Sequence, residues 1–287
     1  MNPSSSRQAR ALFAVGLFCL GVAAASGEEI KKNFPTGANP SLDLVNQNGG
    51  ISVKTWDHNE IEIKGKPSSD AIEVMISAGE QRVTVQTHPK GDRILPPDVR
   101  VDFDILVPRE ATVHVDAERG QVSVDNVRGD ITIQGVSNSV VLSNISGHIM
   151  ARTVDGPILL RSCEGHIEAH SISGNLKFVR VNAYELVANT NSGTISYEGD
   201  FGSRGHYVLT NNQSPINIVA SNKASFELTA RAVEGSIESN IPFRPSQLGQ
   251  SFHHSSPGKF LQGLFHGGES TVQITSFSGT IRLQGPR

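Results

Sequence analysis

The run GHIEAH carries His166, Glu168 and His170 in alternation with the apolar Ile167 and Ala169. Successive side chains of an extended strand point to opposite faces, so these three polar groups share one face. His148 also follows a glycine, 18 residues earlier, and stands beside His166 if the chain returns at that interval. Two or three imidazoles and a carboxylate on a rigid sheet are the donor set of a zinc or other transition-metal site. No helical HExxH or cysteine-rich spacing accompanies them, and the plain alternative is a solvated polar face.

Asp102 and Asp104 alternate with Val101, Phe103 and Ile105, which places their carboxylates on one face about 7 Å apart. That geometry suits paired-carboxylate glycoside hydrolysis, but no aromatic cluster for sugar stacking lies nearby in sequence, so a solvated strand face is expected. The corners read NVRGD, NISGH, TVDGP and SCEGH, without the repeated aspartates of a calcium-binding nonapeptide roll. No GxSxG, P-loop or dinucleotide fingerprint occurs. The sequence therefore calls for no cofactor.

Seven nine-residue units run in succession around these residues: GQVSVDNVR from Gly120, GDITIQGVS, NSVVLSNIS, GHIMARTVD, GPILLRSCE, GHIEAHSIS and GNLKFVRVN from Gly174. Positions 3, 5 and 8 are nonpolar in every unit. Positions 3 and 5 form the inward face of a short strand. Position 8, as in Val127, Ile145 and Ile172, is read as an apolar residue buried at the corner, and Cys163 falls in this class as a small core hydrophobe. Position 1 is glycine in six of the seven, suited to a bend or a close approach. Later copies, around Ile195, Ile216, Ile237 and Ile281, are spaced more widely and imply longer bends.

This pattern predicts an all-β protein whose repeats form a single-stranded parallel β-solenoid, with 18 or 27 residues per coil. An antiparallel sandwich or meander is the alternative. The stretch 28–118 has longer alternating segments and is read as an N-terminal β-hairpin cap, since an uncapped coil would expose unpaired backbone groups. Residues 119–287 are the repeat region, interrupted by a long loop at 241–268. In that loop PGKFLQGLFH has apolar residues at i, i+1, i+4 and i+5, the spacing of one short helix. Its Phe260, Leu264 and Phe265 are expected to cover an outward apolar patch of Val141, Met150 and Leu159, with a membrane surface or a partner as the alternative occupant.

Residues 1–25 read as a signal peptide. Arg7 and Arg10 precede the uncharged run from Ala11 to Ala25, which is too short for a comfortable span and ends in three alanines. A lipid anchor at Cys19 is disfavoured because bulky Phe18 precedes it and it lies within the run. Cleavage leaves Cys163 alone, so no intramolecular disulfide forms. No later stretch is apolar enough to cross a membrane as a helix. With 25 basic and 28 acidic residues, nothing indicates a nucleic-acid partner.

The stretches NGGISVKTWDHNEIEIKG (Asn48 to Gly65), VRVDFDILVPREATVHVDAERGQVSVDNVRGDITI (Val99 to Ile133) and TSFSGTIRL (Thr275 to Leu283) carry a resemblance. Together they make the chain similar to the bacterial putative-adhesin β-strand-repeat domain family. The resemblance implies an exported, right-handed β-solenoid-like domain and brings no catalytic residues. The function expected is a non-enzymatic interaction module, adhesin-like or on the cell-envelope surface, binding a protein, a glycan or the envelope itself. Its expected location is the periplasm, the outer-membrane surface or the medium. A polysaccharide lyase or glycosidase, or a self-assembling envelope scaffold, are the alternatives.

Overall fold

Alternation of apolar and polar residues becomes strand wherever it occurs, and no helix is present among the described residues. A computed structural model describes residues 29–91, 96–245 and 259–285; residues 1–25, expected as a signal peptide, lie outside them. In chain order the strands are β1 (Ile30–Pro35), β2 (Ser41–Asn48), β3 (Ile51–Trp56), β4 (Glu60–Pro67), β5 (Ile72–Ala78), β6 (Arg82–Pro89), β7 (Val101–Pro108) and β8 (Thr112–Asp125). The repeats supply β9 (Ile131–Ser143), β10 (Ser146–Asp155), β11 (Ile158–Arg161), β12 (Glu164–Ser171), β13 (Leu176–Val179), β14 (Asn182–Thr190) and β15 (Ile195–Gly199). The remainder are β16 (His206–Asn211), β17 (Ile216–Ala220), β18 (Phe226–Ala232), β19 (Ile237–Ser239), β20 (Phe260–Phe265), β21 (Ser270–Ser276) and β22 (Ile281–Gln284).

All belong to one hydrogen-bonded sheet, whose pairings form two ladders. The first runs β5–β6–β2–β8–β9–β10–β12–β14–β16–β21–β18–β20. The second runs β1–β4–β7–β3–β8–β9–β11–β13–β15–β17–β22–β19, and β8 and β9 are long enough to serve both. Pairing is antiparallel only in β1–β4, β4–β7, β5–β6 and β18–β20. The sandwich or meander alternative, which needs antiparallel neighbours throughout, is thereby set aside. Ile131 pairs with Ile149 and Ile149 with Ile167, while Val140 pairs with Ile158 and Ile158 with Leu176. Each step along a ladder thus advances the chain by 18 residues in the regular repeats.

Positions 3 and 5 of the units are buried in both ladders and join one apolar cluster. Toward the C-terminal end the spacing lengthens and rings replace aliphatics: Phe178 meets Tyr197, Tyr197 stacks on Phe201, and Phe201 contacts both Tyr207 and Phe226. Their phenols are satisfied inside, with Tyr197 donating to Val181 O at 2.9 Å and Tyr207 to Ala183 O at 2.9 Å. Burial pushes both phenols above their ordinary range.

The two corners of each rung differ, which corrects the reading of position 8. Val127, Ile145, Cys163 and Val181 are buried, whereas Val136, Val154 and Ile172 are 49%, 45% and 56% exposed. The residue before each buried one, Asn126, Asn144, Ser162 or Arg180, has a positive φ of 50–63°. That left-handed step turns the next side chain inward, and asparagine tolerates it best among non-glycine residues. At the other corner the chain stays extended, so position 7 points in and position 8 points out. There Thr153 Oγ1 donates to Gly156 O at 3.1 Å, Thr190 Oγ1 to Gly174 O at 3.1 Å and Ser276 Oγ to Gly279 O at 2.9 Å. Glycine at position 1 is forced by stacking: at Gly165, φ is +115° and a Cβ would lie 2.1 Å from Gly147 O.

Two further expectations are corrected. Residues 260–265 form strand β20, antiparallel to β18, and not a helix. An apolar i, i+1, i+4, i+5 pattern with two glycines has weak helix propensity, and the free edge of β18 offers backbone partners that a helix would leave unpaired. The boundary drawn at 118/119 falls inside the unbroken strand β8, to which β2 and β3 pair in parallel.

Candidate functional site

His148 and His166 are register partners on adjacent parallel strands β10 and β12, so their rings meet edge to face with centroids 4.8 Å apart. The register slips between Gly165 and His166, where β14 carries one extra residue. That bulge presents Tyr184, 63% exposed, and sets Glu185 directly opposite His166. Glu185 Oε2 lies 3.0 Å from His166 Nδ1, and Glu168 Oε1 lies 3.3 Å from His166 Nε2. The other oxygen of Glu168 is 3.5 Å from His170 Nε2 and 3.5 Å from Arg152 Nη2. The hydrogen bond with His166 holds the Glu168 carboxyl below its ordinary range, with His170 adding to this against the opposing effect of partial burial. Asp130 Oδ1 accepts the backbone N–H of His148 at 3.4 Å.

His148, His166 and Glu168 are the residues placed to hold a metal, with one donor atom of each within 4.8 Å of the others. His170, expected alongside them, reaches the site through Glu168. Glu185 and Arg152 were not foreseen. Glu185 is hidden by the bulge, which breaks the 18-residue interval; Arg152 is visible as the register partner of His170 once β10 and β12 are aligned.

Asp102 and Asp104 project from β7, but Asp102 is tied into the backbone. Its Oδ1 accepts from Gly50 N–H at 2.7 Å and its Oδ2 from Arg100 Nε at 3.2 Å. Asp104 is exposed and is the register partner of Lys64. Cys163 is buried with its Sγ 3.4 Å from Arg161 O, and burial pushes its thiol up to about 11. Val141 and Leu159 are register partners in the second ladder, while Met150 lies in the first. All three are half-buried. Phe260, Leu264 and Phe265 lie in β20, six strand positions along the first ladder from β10. They do not cover that patch; residues 246–258 of the loop lie outside the described residues.

The exposed corner gives a second surface. Val136, Val154 and Ile172 stack one above another on successive rungs, with backbone pairing from Asp155 to Ser137 and from Ile172 N–H to Val154 O. Exposed Ser137, Asp155 and Ser173 flank them. No helix among the described residues is long and apolar enough to cross a membrane.

No protein-family model and no curated protein matches the chain. Solved structures similar to the chain include two bacterial proteins. One is a putative cell adhesion protein from Clostridium sporogenes ATCC 15579, 9% identical, covering 90% of this chain and 99% of its own, with a TM-score of 0.28. The other is a putative adhesin from Bacteroides fragilis NCTC 9343, 10% identical, covering 89% and 97%, with a TM-score of 0.31. At this level of likeness neither family nor residue role carries over to this chain.

Proposed function

We propose that the chain is an exported, non-enzymatic β-solenoid that acts as an adhesin-like interaction module on or beyond the cell envelope. The 18-residue register of both ladders supports the solenoid reading. The observation that carries the functional reading is the column Val136, Val154, Ile172, about half exposed on three consecutive rungs. Isolated exposed hydrophobes are ordinary, but an aligned apolar ridge with a polar rim has the make-up of a recognition surface. Its members are aliphatic and β-branched, so it lacks the flat rings on which sugars stack. A protein partner is the occupant it fits.

The test uses fluorescently labelled protein and intact bacterial cells, with and without protease treatment of the cell surface. Binding should be lost after protease treatment and should fall at least about tenfold in V136S/V154S/I172S, whose thermal stability should match the parent because surface substitutions cost little. Unchanged binding by the triple variant would remove the ridge from the argument. Turnover of any polysaccharide, abolished in D102N or D104N, would replace the proposal with the hydrolytic alternative. Export is checked separately: the processed protein should begin near Ser26.

A further inference from the structure

We propose that His148, His166 and Glu168 form a binding site for a divalent transition metal of the zinc class, with Glu185 as the positioning carboxylate. The central observation is that His166 faces a carboxylate oxygen at each ring nitrogen, Glu185 at 3.0 Å and Glu168 at 3.3 Å. A neutral imidazole has one N–H and one lone pair. If Nδ1–H donates to Glu185, the Nε2 lone pair of the neutral ring faces the Glu168 carboxylate, and either a second ring proton, which makes the hydrogen bond to Glu168, or a bound metal ion reconciles the two. Metal-ligating histidines recur in this state, the far nitrogen tied to a carboxylate that fixes tautomer and ring orientation.

The distances fit an ion. Zinc bonds of about 2.0–2.1 Å in tetrahedral geometry put neighbouring donors about 3.3 Å apart, the separation of His166 Nε2 and Glu168 Oε1. The third donor, on His148, already lies within 4.8 Å of both, and a modest side-chain rotation closes the rest. Backbone pairing on both sides of the two histidines fixes their spacing, so little order remains to be imposed on binding. Arg152 opposes the ion, since its guanidinium lies 3.5 Å from Glu168 Oε2. Three protein ligands beside a fixed cation point to micromolar affinity and leave coordination positions open to water or to a partner's side chain. The site is independent of the apolar ridge and stands or falls separately from it.

The experiment is calorimetric titration of untagged, chelator-treated protein with zinc chloride and then nickel chloride. One zinc ion per chain is expected, with affinity weakened at least about tenfold in H148N and in H166N, and about 10–100-fold in E185Q, the range seen when an outer-shell partner is lost. H88N, altered at an exposed histidine outside the column, should bind as the parent does. Copper(II) electron paramagnetic resonance should show coupling to two imidazole nitrogens that falls to one in either histidine variant. Far-UV circular dichroism establishes that each variant is folded, and asparagine keeps a polar side chain of similar reach. Absence of binding at 1 mM zinc chloride, on the order of a thousandfold above micromolar affinity, would overturn the proposal. So would affinity unchanged in both H148N and H166N.

Discussion

Gly135 and Asn138 exchange the roles that Ser171 and Gly174 play two rungs away, and the exchange can be reversed. In most rungs a hydroxyl at position 7 points inward and glycine follows three residues later, as in Thr153–Gly156, Ser171–Gly174 and Thr190–Gly193. At Gly135 the side chain is missing and that of Asn138 fills the space; a Cβ on Gly135 would lie 2.3 Å from Asn138 Oδ1. Asn138 is fully buried, and neither Oδ1 nor Nδ2 has a hydrogen-bond partner. G135S alone should therefore overpack the corner and cost about 1–3 kcal/mol. N138G alone should come out near neutral, because relief of unpaired polar atoms, about 1–3 kcal/mol, offsets the void and the flexibility of glycine. In G135S/N138G the hydroxyl has room and a neighbour in Thr153, the register partner of residue 135. A contact of 3.1 Å from the new Cβ to Ala117 O asks for a shift of a few tenths of an ångström. The double variant should be at least as stable as the parent, with a favourable coupling of about 2 kcal/mol. Thermal unfolding followed by far-UV circular dichroism reads this as a drop of about 5 °C for G135S that N138G reverses. Additivity of the two single changes, or an unaltered Tm for G135S, would refute the packing argument.

Ile133→Asp and Leu160→Asp, each placing an unpaired charge at a fully buried position, should cost more than about 3 kcal/mol. Thr132→Asp on the outer face should stay within about 1 kcal/mol; equal losses in urea unfolding would mean the strand register is misassigned. Since the Cys163 thiol is pushed up to about 11, it is neutral at pH 8. A disulfide-exchange reagent should leave it unmodified in the folded protein and react with it in urea; rapid native labelling would contradict its burial. Truncation after Gly268 removes β21 and β22, which join β18 and β19 to the rest. Limited proteolysis should then degrade 221–268 while sparing the ladders up to β15; a resistant fragment reaching Phe265 would argue against the strand order.

The inward face of each strand was legible because period-two alternation needs only local sequence. The same rule placed His148 beside His166, since both follow a position-1 glycine on strands 18 residues apart. The inequivalence of the two corners was not read, because valine and isoleucine occupy position 8 at both. The clue lay one residue earlier: Asn126 and Asn144 take the left-handed step, while Thr153 and Ser171 stay extended. Glu185 was missed because a single inserted residue, Tyr184, shifts the register without disturbing the apolar pattern of β14. At β20, apolar spacing over six residues fits a helix turn or an edge strand equally, and the choice is made by the unpaired edge of β18, which lies outside the segment itself.

The order of the end rungs explains how the ladders stop. At the N-terminal end β2 and β3 lie between β8 on one side and β6 and β7 on the other, so the first rung of the sequence is second in space. The C-terminal end repeats the arrangement, with β21 and β22 inserted between β16 and β17 and the earlier β18 and β19. The rungs made by β2 with β3 and by β21 with β22 are therefore interior. The edges fall instead on β5, β1 and β20, each added antiparallel, and on the three-residue β19. A parallel ladder ending on one of its own repeats would present the register that the next copy needs, whereas a reversed strand or a very short one does not. Interleaving also makes β21 and β22 hold the earlier β18 and β19 in place, so this end of the ladders closes only when residues 270–284 are available. The same two devices act at both ends, and they turn the outward side-chain columns, and not the ladder ends, into the surfaces available for recognition.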